Sequence, residues 1–315
     1  MKPTDILSKH EIAGFTQRSD ALGWWMVISN WAIIALTFSV IAVWTNPITL
    51  LLGALLLAGR QLGLAVLMHE AGHKTLFKTD QLNCIVGQWL CAYPVLGDCL
   101  AYGSSHRIHH RTAGTPDDPD LPNYQSYPIT KASFLRKLKR DFSGQTGIKL
   151  LAATLVSSRR NMMLREGEQT NAALQGLVVN ALLFLTLAGF GVGELYLLWL
   201  IAYVFVYPAF ARIRQVAEHG AVVDLFHADP RLNTRTTLPR WYERPFISPN
   251  FVNYHLEHHL LASVPCYRLP RLHRQLEARG FYNGHQTAIG RGYWDVITRA
   301  VPEFVQETAN TQNNR

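Results

Sequence analysis

A long uncharged stretch near the start of the chain constrains its fold more than any other feature. It runs from Trp24 to Trp44, twenty-one residues without a charge and with tryptophan at both ends. A helix of this length, at about 1.5 Å per residue, matches a hydrocarbon core of roughly 30 Å. Tryptophan is enriched at membrane interfaces. The stretch therefore predicts a membrane-spanning helix.

Three further apolar stretches extend this prediction to two helical hairpins. The chain turns at Asn46 and Pro47, and the stretch that follows is interrupted only by Arg60 and Gln61. An arginine at a span centre costs about 2.5–3.5 kcal/mol on insertion scales, so Arg60 is expected to face a cavity or a polar partner. We predict an all-α integral membrane protein with four transmembrane helices, at about 24–44, 48–68, 176–193 and 195–211.

One further segment, residues 84–101, is ambiguous. It is moderately apolar but contains Gln88, Pro94 and Asp98. A full crossing there would put the histidines before and after it on opposite sides of the membrane. We therefore predict an interfacial or re-entrant segment.

The distribution of basic residues predicts the orientation. Thirty Lys and Arg stand against twenty-two Asp and Glu, yet neither short hairpin turn contains a basic residue. By the positive-inside rule both turns face away from the cytoplasm, and both termini and the long middle segment face it. The positive charge then reflects topology, and no nucleic-acid-binding motif accompanies it.

Histidine is concentrated in three short motifs and one isolated position. Nine of the thirteen histidines belong to HEAGH at 69–73, to two HxxHH motifs at 106–110 and 255–259, or to position 219. Residues three or four apart share one helix face, so each motif can present its imidazoles together. The candidate ligands are His69, His73, His106, His109, His110, His219, His255, His258 and His259. Structural or surface roles are expected for His10, His227, His273 and His285.

Nine imidazoles indicate more than one metal ion. A tetrahedral zinc site uses four ligands at most, whereas two ions can share nine. Imidazole suits iron, zinc, copper and nickel, so the ligand type does not name the metal. Taken alone, HEAGH also fits a zinc intramembrane protease with Glu70 as general base. A non-catalytic membrane protein that stores metal is a third interpretation. The four cysteines show no CxxC pairing, so neither a thiolate site nor a disulfide scaffold is expected.

With these motifs and spans, the chain resembles the membrane fatty acid desaturases and related hydroxylases, which carry the boxes HxxxH, HxxHH and HxxHH. The resemblance runs from about His69 to the region after His259 and implies a single desaturase-like domain over 1–315. It further implies a cytosolic helical cap, at 69–175 and 212–306, that holds two iron ions on the nine histidines. The family reduces the irons, binds O₂ there and abstracts hydrogen from an aliphatic chain in a tunnel. A fatty acyl lipid is the expected substrate, with desaturation as the main prediction. Hydroxylation of a lipid, alkane, sphingolipid or carotenoid by the same centre is the alternative.

Less specific predictions concern the surroundings of the centre. Acyl-CoA desaturases often have an asparagine four residues before the isolated histidine, and this chain has Gln215 there, so Gln215 and Asn253 are candidates for a tenth metal contact. Ligating imidazoles usually donate their other N–H to a carboxylate or carbonyl. Candidate partners are Glu70, Asp98, Glu218 and Glu257, with Asp117, Asp118 and Asp120 near the second box; a surface acid, cap or turn is the plain alternative for each.

The electrons for O₂ reduction are expected to come from another protein. The chain has neither a Gly-rich dinucleotide fingerprint nor a cysteine set for an iron–sulfur cluster, and no segment for a fused cytochrome b5 domain. We expect a ferredoxin, rubredoxin or cytochrome b5 type donor, with its reductase, on the basic cytosolic face. The polar tail at 307–315 is predicted to be flexible.

Overall fold

The computed structural model describes residues 2–164 and 172–306, and these are mostly helical. The α-helices, in chain order, are α1 (Lys9–Phe15), α2 (Asp20–Val43), α3 (Pro47–Gly72), α4 (Asp80–Val86), α5 (Cys99–Thr112), α6 (Leu121–Tyr124), α7 (Lys131–Phe142), α8 (Gln145–Leu164), α9 (Ala172–Gly189), α10 (Leu195–Ile201), α11 (Tyr207–His219), α12 (Pro230–Asn233), α13 (His255–Leu260), α14 (Leu269–Ala278) and α15 (Tyr293–Ala300). Strands β1 (Thr236–Thr237) and β2 (Ile289–Gly290) pair in parallel.

The described residues form two compact units. The span unit comprises Ser19–Ser104 and Arg140–Phe210. The histidine unit comprises the described parts of Met1–Arg18, Ser105–Lys139 and Ala211–Arg315. The predicted cap, 69–175 and 212–306, shares 105–139 and 212–306 with the histidine unit, while 69–104 and the described part of 140–175 belong to the span unit. The cap itself stays a prediction. The tail predicted to be flexible, 307–315, lies outside the described residues.

The prediction of four apolar spans is confirmed. Four helical segments are long and apolar enough to cross a membrane: α2, α3, α9 and the segment Leu195–His219, in which a π-helical turn joins α10 to α11. The third span ends at Gly189, four residues earlier than predicted, because the chain turns at Gly191, whose φ of 76° favours glycine. The second continues to Gly72, which places most of HEAGH on the helix.

Local chemistry explains the first hairpin. The side chain of Asn46 accepts hydrogen bonds from the backbone N–H groups of Ile48 and Thr49, and Pro47 occupies the first helical position.

Inside the span unit, the buried apolar core includes Ile34, Phe38, Leu57, Trp199 and Tyr203.

Polar side chains inside the spans are buried with partners. Arg60 is only 6% exposed, and its guanidinium lies 3.5 Å from the side-chain oxygen of Asn30. The amide nitrogen of Asn30 donates to the backbone carbonyl of Arg60. The side chain of Gln61 donates to the carbonyl of Trp199 at 2.8 Å. Asn30 is therefore the polar partner that a mid-span arginine requires.

The ambiguous segment after the second span is a broken helix. A π-helical turn and a 3₁₀ turn follow α4, and Leu96 adopts a left-handed conformation before α5 begins. The two halves, Asp80–Val95 and Cys99–Thr112, are bent by 94°. A bend of this kind occurs in re-entrant loops and in broken spans. The predicted interfacial or re-entrant placement stays a prediction.

The start of α5 packs closely on the end of α3 within the span unit. A Cβ atom on Gly103 would lie 3.0 Å from the Cα of Gly72, so only glycine permits this approach without a shift. The ring of Tyr102 lies 6.0 Å from that of His69. The packing holds the end of α3 against the start of α5.

Candidate metal centre

Four histidines of the histidine unit converge on one point. The ligand nitrogens of His109, His219, His255 and His259 all lie within 4.8 Å of one another. The Nε2 atoms of His219 and His255 are 2.9 Å apart, and those of His109 and His259 are 3.2 Å apart. These residues come from α5, α11 and α13, and we call them the four-histidine cluster.

Three more histidines converge in the same unit. The ligand nitrogens of His106, His110 and His258 also lie within 4.8 Å of one another. The Nε2 atom of His110 is 3.0 Å from that of His106 and 2.9 Å from that of His258. We call these residues the three-histidine group. Two residues adjacent in sequence therefore belong to different sets: His258 to this group and His259 to the four-histidine cluster.

Both sets fit a transition-metal ion that accepts imidazole. Nitrogen atoms bonded to one metal at about 2.1 Å are separated by about 3.0–3.4 Å in octahedral or tetrahedral geometry. The observed Nε2 separations of 2.9–3.2 Å are close to this range. A neutral imidazole nitrogen offers one proton or one lone pair, so hydrogen bonding alone poorly accounts for one Nε2 facing two others. A shared cation satisfies all of the lone pairs.

The environment keeps at least two of these imidazoles neutral, as metal binding requires. Burial, reinforced by the neighbouring imidazoles and by Arg214, holds the pKa of His255 well below its ordinary value. Burial and the surrounding imidazoles do the same to the pKa of His259. At neutral pH these rings therefore carry lone pairs that can bind a metal ion.

Three members of the four-histidine cluster have partners for their outward Nδ1 atoms. His109 Nδ1 donates to the carboxylate of Asp118 at 2.8 Å. His219 Nδ1 donates to the backbone carbonyl of Asn233 at 3.1 Å. His255 Nδ1 lies 3.5 Å from the carboxylate of Glu218. Such contacts fix the tautomer and direct Nε2 inward.

Asp118 is held in place by more than its histidine. The hydroxyl of Tyr124 donates to the second carboxylate oxygen, and the Tyr124 ring stacks on His219 with centroids 4.8 Å apart. Burial raises the pKa of Asp118, but the hydrogen bonds from His109 and Tyr124 outweigh it and keep that pKa below its ordinary value. Asp118 is therefore an anion at neutral pH. The turn that contains Asp118 therefore orients a metal-ligand candidate, His109. Tyr124, which sequence reasoning missed, takes part in this contact through its hydrogen bond to Asp118.

The other predicted acidic partners have different surroundings. Glu218 forms a bidentate pair with Arg214, at 2.8 and 3.0 Å, and this pair orients it toward His255. Glu70 lies 3.2 Å from His69 Nδ1 and accepts a hydrogen bond from the hydroxyl of Thr75. The side chain of Asp98 accepts hydrogen bonds from the backbone N–H groups of Leu100 and Ala101, so it caps the N-terminus of helix α5.

Glu257 was expected to contact the histidines of the third box, but it does not. Its buried carboxylate accepts hydrogen bonds from Thr236 and Tyr282 and lies 2.5 Å from His273 Nδ1. On the short helix α13, Glu257 faces α14 and β1, away from the histidine cluster. His273, expected to be structural or at the surface, is buried and holds this carboxylate. A lone histidine fourteen residues after the box gives no sequence signal for this contact.

The first box and the tenth contact remain predictions. His69 and His73 lie at the end of α3 in the span unit, with ring centroids 4.7 Å apart. Gln215 is half-buried on α11, and Asn253 is buried before α13. No metal contact is assigned to either.

Comparison with known proteins is consistent with this centre. The family model described as "Fatty acid desaturase" matches residues 44–290. The chain is 28% identical over 260 residues to the dihydrorhizobitoxine desaturase of Bradyrhizobium elkanii, which covers 77% of this chain and 72% of the relative. It is 22% identical over 284 residues to the sn-1 oleoyl-lipid 12-desaturase of a Picosynechococcus species, which covers 81% of this chain and 76% of the relative.

Proposed function

Since this chain belongs to the fatty acid desaturase family, we propose that it introduces a carbon–carbon double bond into the acyl chain of a lipid, using O₂ and two iron ions. The observation that carries the proposal is the convergence of seven buried or half-buried imidazoles in two sets. Enzymes that oxidise unactivated C–H bonds take this chemistry from a cofactor, and the protein binds and orients it.

Each set of histidines would hold one ion. The four-histidine cluster offers four imidazole nitrogens to the first. The three-histidine group offers three to the second, and the HEAGH motif suggests that His69 and His73 are further ligands. When bound, the two irons supply the reduction of O₂ and the abstraction of hydrogen from the substrate.

The reaction needs electrons from outside the chain. Desaturation removes two hydrogen atoms from neighbouring carbons, while O₂ accepts these together with two electrons and two protons and leaves as two molecules of water. The protein's own contribution is to hold neutral imidazoles in a buried site. Asp118, Glu218 and the Asn233 carbonyl keep the Nε2 atoms directed inward.

A lipid-linked substrate is proposed from the membrane spans. Four apolar helices place the chain in a bilayer, where acyl chains are the abundant aliphatic groups. One relative is named for an oleoyl lipid and the other for dihydrorhizobitoxine. Both are named desaturases, which favours desaturation over hydroxylation by the same centre. The family match also favours the paired-iron interpretation of HEAGH over the zinc protease.

We also propose that both termini and the metal centre face the cytoplasm, because the basic residues lie outside the two hairpin turns. Tags on the two termini should be inaccessible to antibody in intact cells and accessible after permeabilisation. Accessibility in intact cells would contradict this orientation.

Lipid profiling of a host that expresses the chain tests the function. The wild-type profile should contain new products lighter than a host lipid by two hydrogen atoms, and His109→Ala should lose both these products and iron. His10→Ala, which changes an exposed histidine outside both sets, should behave as wild type. Products heavier by one oxygen atom would instead establish hydroxylation. An unchanged profile with full iron content in His109→Ala would contradict the proposed centre.

A further inference from the structure

An exposed aromatic surface in the histidine unit has no role in the chemistry proposed above. Trp241 is 85% exposed, and Tyr242 is also exposed. Exposed tryptophan beside tyrosine and arginine is the composition of energetically important residues in protein interfaces. We call Trp241 and Tyr242, with Arg240, Arg244 and Arg291, the aromatic–arginine surface.

The loop that carries Trp241 is held in a defined shape. The carboxylate of Glu243 accepts the backbone N–H groups of Arg240 and Tyr293, at 2.6 and 3.0 Å. Leu238 N–H donates to the carbonyl of Gly290 at 2.7 Å, next to the pairing of β1 with β2. Trp241 therefore extends from a loop whose conformation is fixed by hydrogen bonds, so little conformational entropy of the loop is lost when a partner binds.

The exposed charge of this surface is positive. Arg240, Arg244 and Arg291 are all exposed. The two nearby acids are already engaged: Glu243 is buried by the bonds just described, and Asp295 pairs with Arg299 at 2.7 Å. Charge complementarity therefore favours an acidic partner.

One buried residue joins this surface to the metal centre. Tyr293, whose backbone N–H donates to Glu243, packs in a buried cluster with Ala217 and Val296. Ala217 lies on α11 two residues before His219, a member of the four-histidine cluster. The aromatic–arginine surface is thus linked to the ligand helix through the buried cluster of Tyr293, Val296 and Ala217.

We propose that the aromatic–arginine surface is the docking site of a small acidic one-electron carrier protein that delivers electrons to the centre. The proposal rests on the proposed function. Two donor molecules are each oxidised by one electron per turnover, and these electrons, with two protons and the two substrate hydrogens, convert O₂ to two waters. A bilayer surface is the competing occupant, but the link through Tyr293 to His219 favours an electron carrier.

Binding can be measured without turnover. The iron-loaded protein in nanodiscs of neutral lipid would be titrated with oxidised plant-type ferredoxin, an acidic iron–sulfur protein, at low and high salt. Trp241→Ala and the double variant Arg240→Glu/Arg244→Glu should each raise Kd about tenfold or more at low salt. The double variant should also lose most of the salt dependence. Arg274→Glu, an exposed arginine on α14, is the matched control and should bind as wild type.

A second measurement separates docking from the rest of the enzyme. The rate at which reduced ferredoxin reduces the centre should fall about tenfold or more in the same variants, whereas reduction by dithionite and the iron content should stay at wild-type values. Circular dichroism of each variant verifies folding.

Two binding results would overturn the docking proposal: no ferredoxin binding by the wild type at low salt, or unchanged ferredoxin binding in both variants. A third is that the variants lose binding to anionic vesicles but keep binding to ferredoxin, which would make the surface a membrane contact. Failure of the proposed function gives a different pattern, in which wild-type protein binds ferredoxin at this surface but forms no oxidised lipid. Binding and product formation therefore fail independently.

Discussion

The four-histidine cluster and the three-histidine group share helices α5 and α13 but differ in how they are supported. The first takes ligands from α5, α11 and α13, and three of its imidazoles donate to or face Asp118, the Asn233 carbonyl and Glu218. The second takes its ligands only from α5 and α13. In our proposal the second ion also depends on His69 and His73.

This difference suggests that the two ions have unequal dependence on the rest of the chain. An ion in the four-histidine cluster would find all of its nitrogens in one compact unit, with the rings already oriented. An ion in the three-histidine group would need ligands from elsewhere in the chain to fill its coordination. The adjacent residues His258 and His259 report on the two sets separately, because they lie one in each.

The largest expected effect comes from this adjacent pair. His258→Ala and His259→Ala should each abolish lipid desaturation and, after dialysis against a chelator, reduce iron from two ions to about one per chain, since each removes a nitrogen from a different ion. The double variant should retain almost none. Metal analysis with Mössbauer spectroscopy on ⁵⁷Fe-loaded protein measures both quantities.

If the two single variants lose the same iron signal, the separation into two sets is wrong. Different residual spectra in the two variants would sharpen the comparison, because each would report the ion that remains.

A smaller effect is expected from the support of His109. Asp118→Asn removes the anion that orients His109 Nδ1, and loss of such partners costs about 10–100-fold in metal affinity or activity. Asp117→Asn changes the exposed neighbour and should have no effect. Iron-binding titrations of both variants measure the difference, and equal affinities would show that the Asp118 bond does not support the cluster.

The smallest effect concerns the outer side of α13. Tyr282→Phe removes one of the hydrogen bonds to the buried carboxylate of Glu257, and a hydrogen bond to a charged group contributes about 1.5–3 kcal/mol to the free energy of unfolding. The thermal midpoint should fall while the iron content stays at two. Tyr242→Phe, at an exposed position, should leave the midpoint unchanged. Loss of iron in Tyr282→Phe would show that this network acts on the metal ligands as well.

Local spacing and hydropathy predicted much of this arrangement. Apolar stretches located four helices that are long enough to span a membrane, and Asn46 with Pro47 marked the first turn, because both signals depend on neighbouring residues alone. The periodicity of the boxes predicted helices there, and all of the box histidines except His73, which follows the last residue of α3, lie on helices. Tertiary contacts between distant segments were not accessible in this way.

The remainder depends on which side chains the fold brings together. Spacing alone could not assign His258 and His259 to different sets, since both follow His255 by about one helical turn. It also could not distinguish Glu218, which faces His255, from Glu257, which faces His273 sixteen residues later. Asp118 resembled an ordinary turn residue until the structure placed it beside His109.

The most direct test of the central claim is an iron-edge anomalous map of crystals of the iron-loaded protein. We expect two peaks, one at bonding distance from the Nε2 atoms of the four-histidine cluster and one at bonding distance from those of the three-histidine group. A single peak, or iron bound at neither set, would contradict the paired-iron centre.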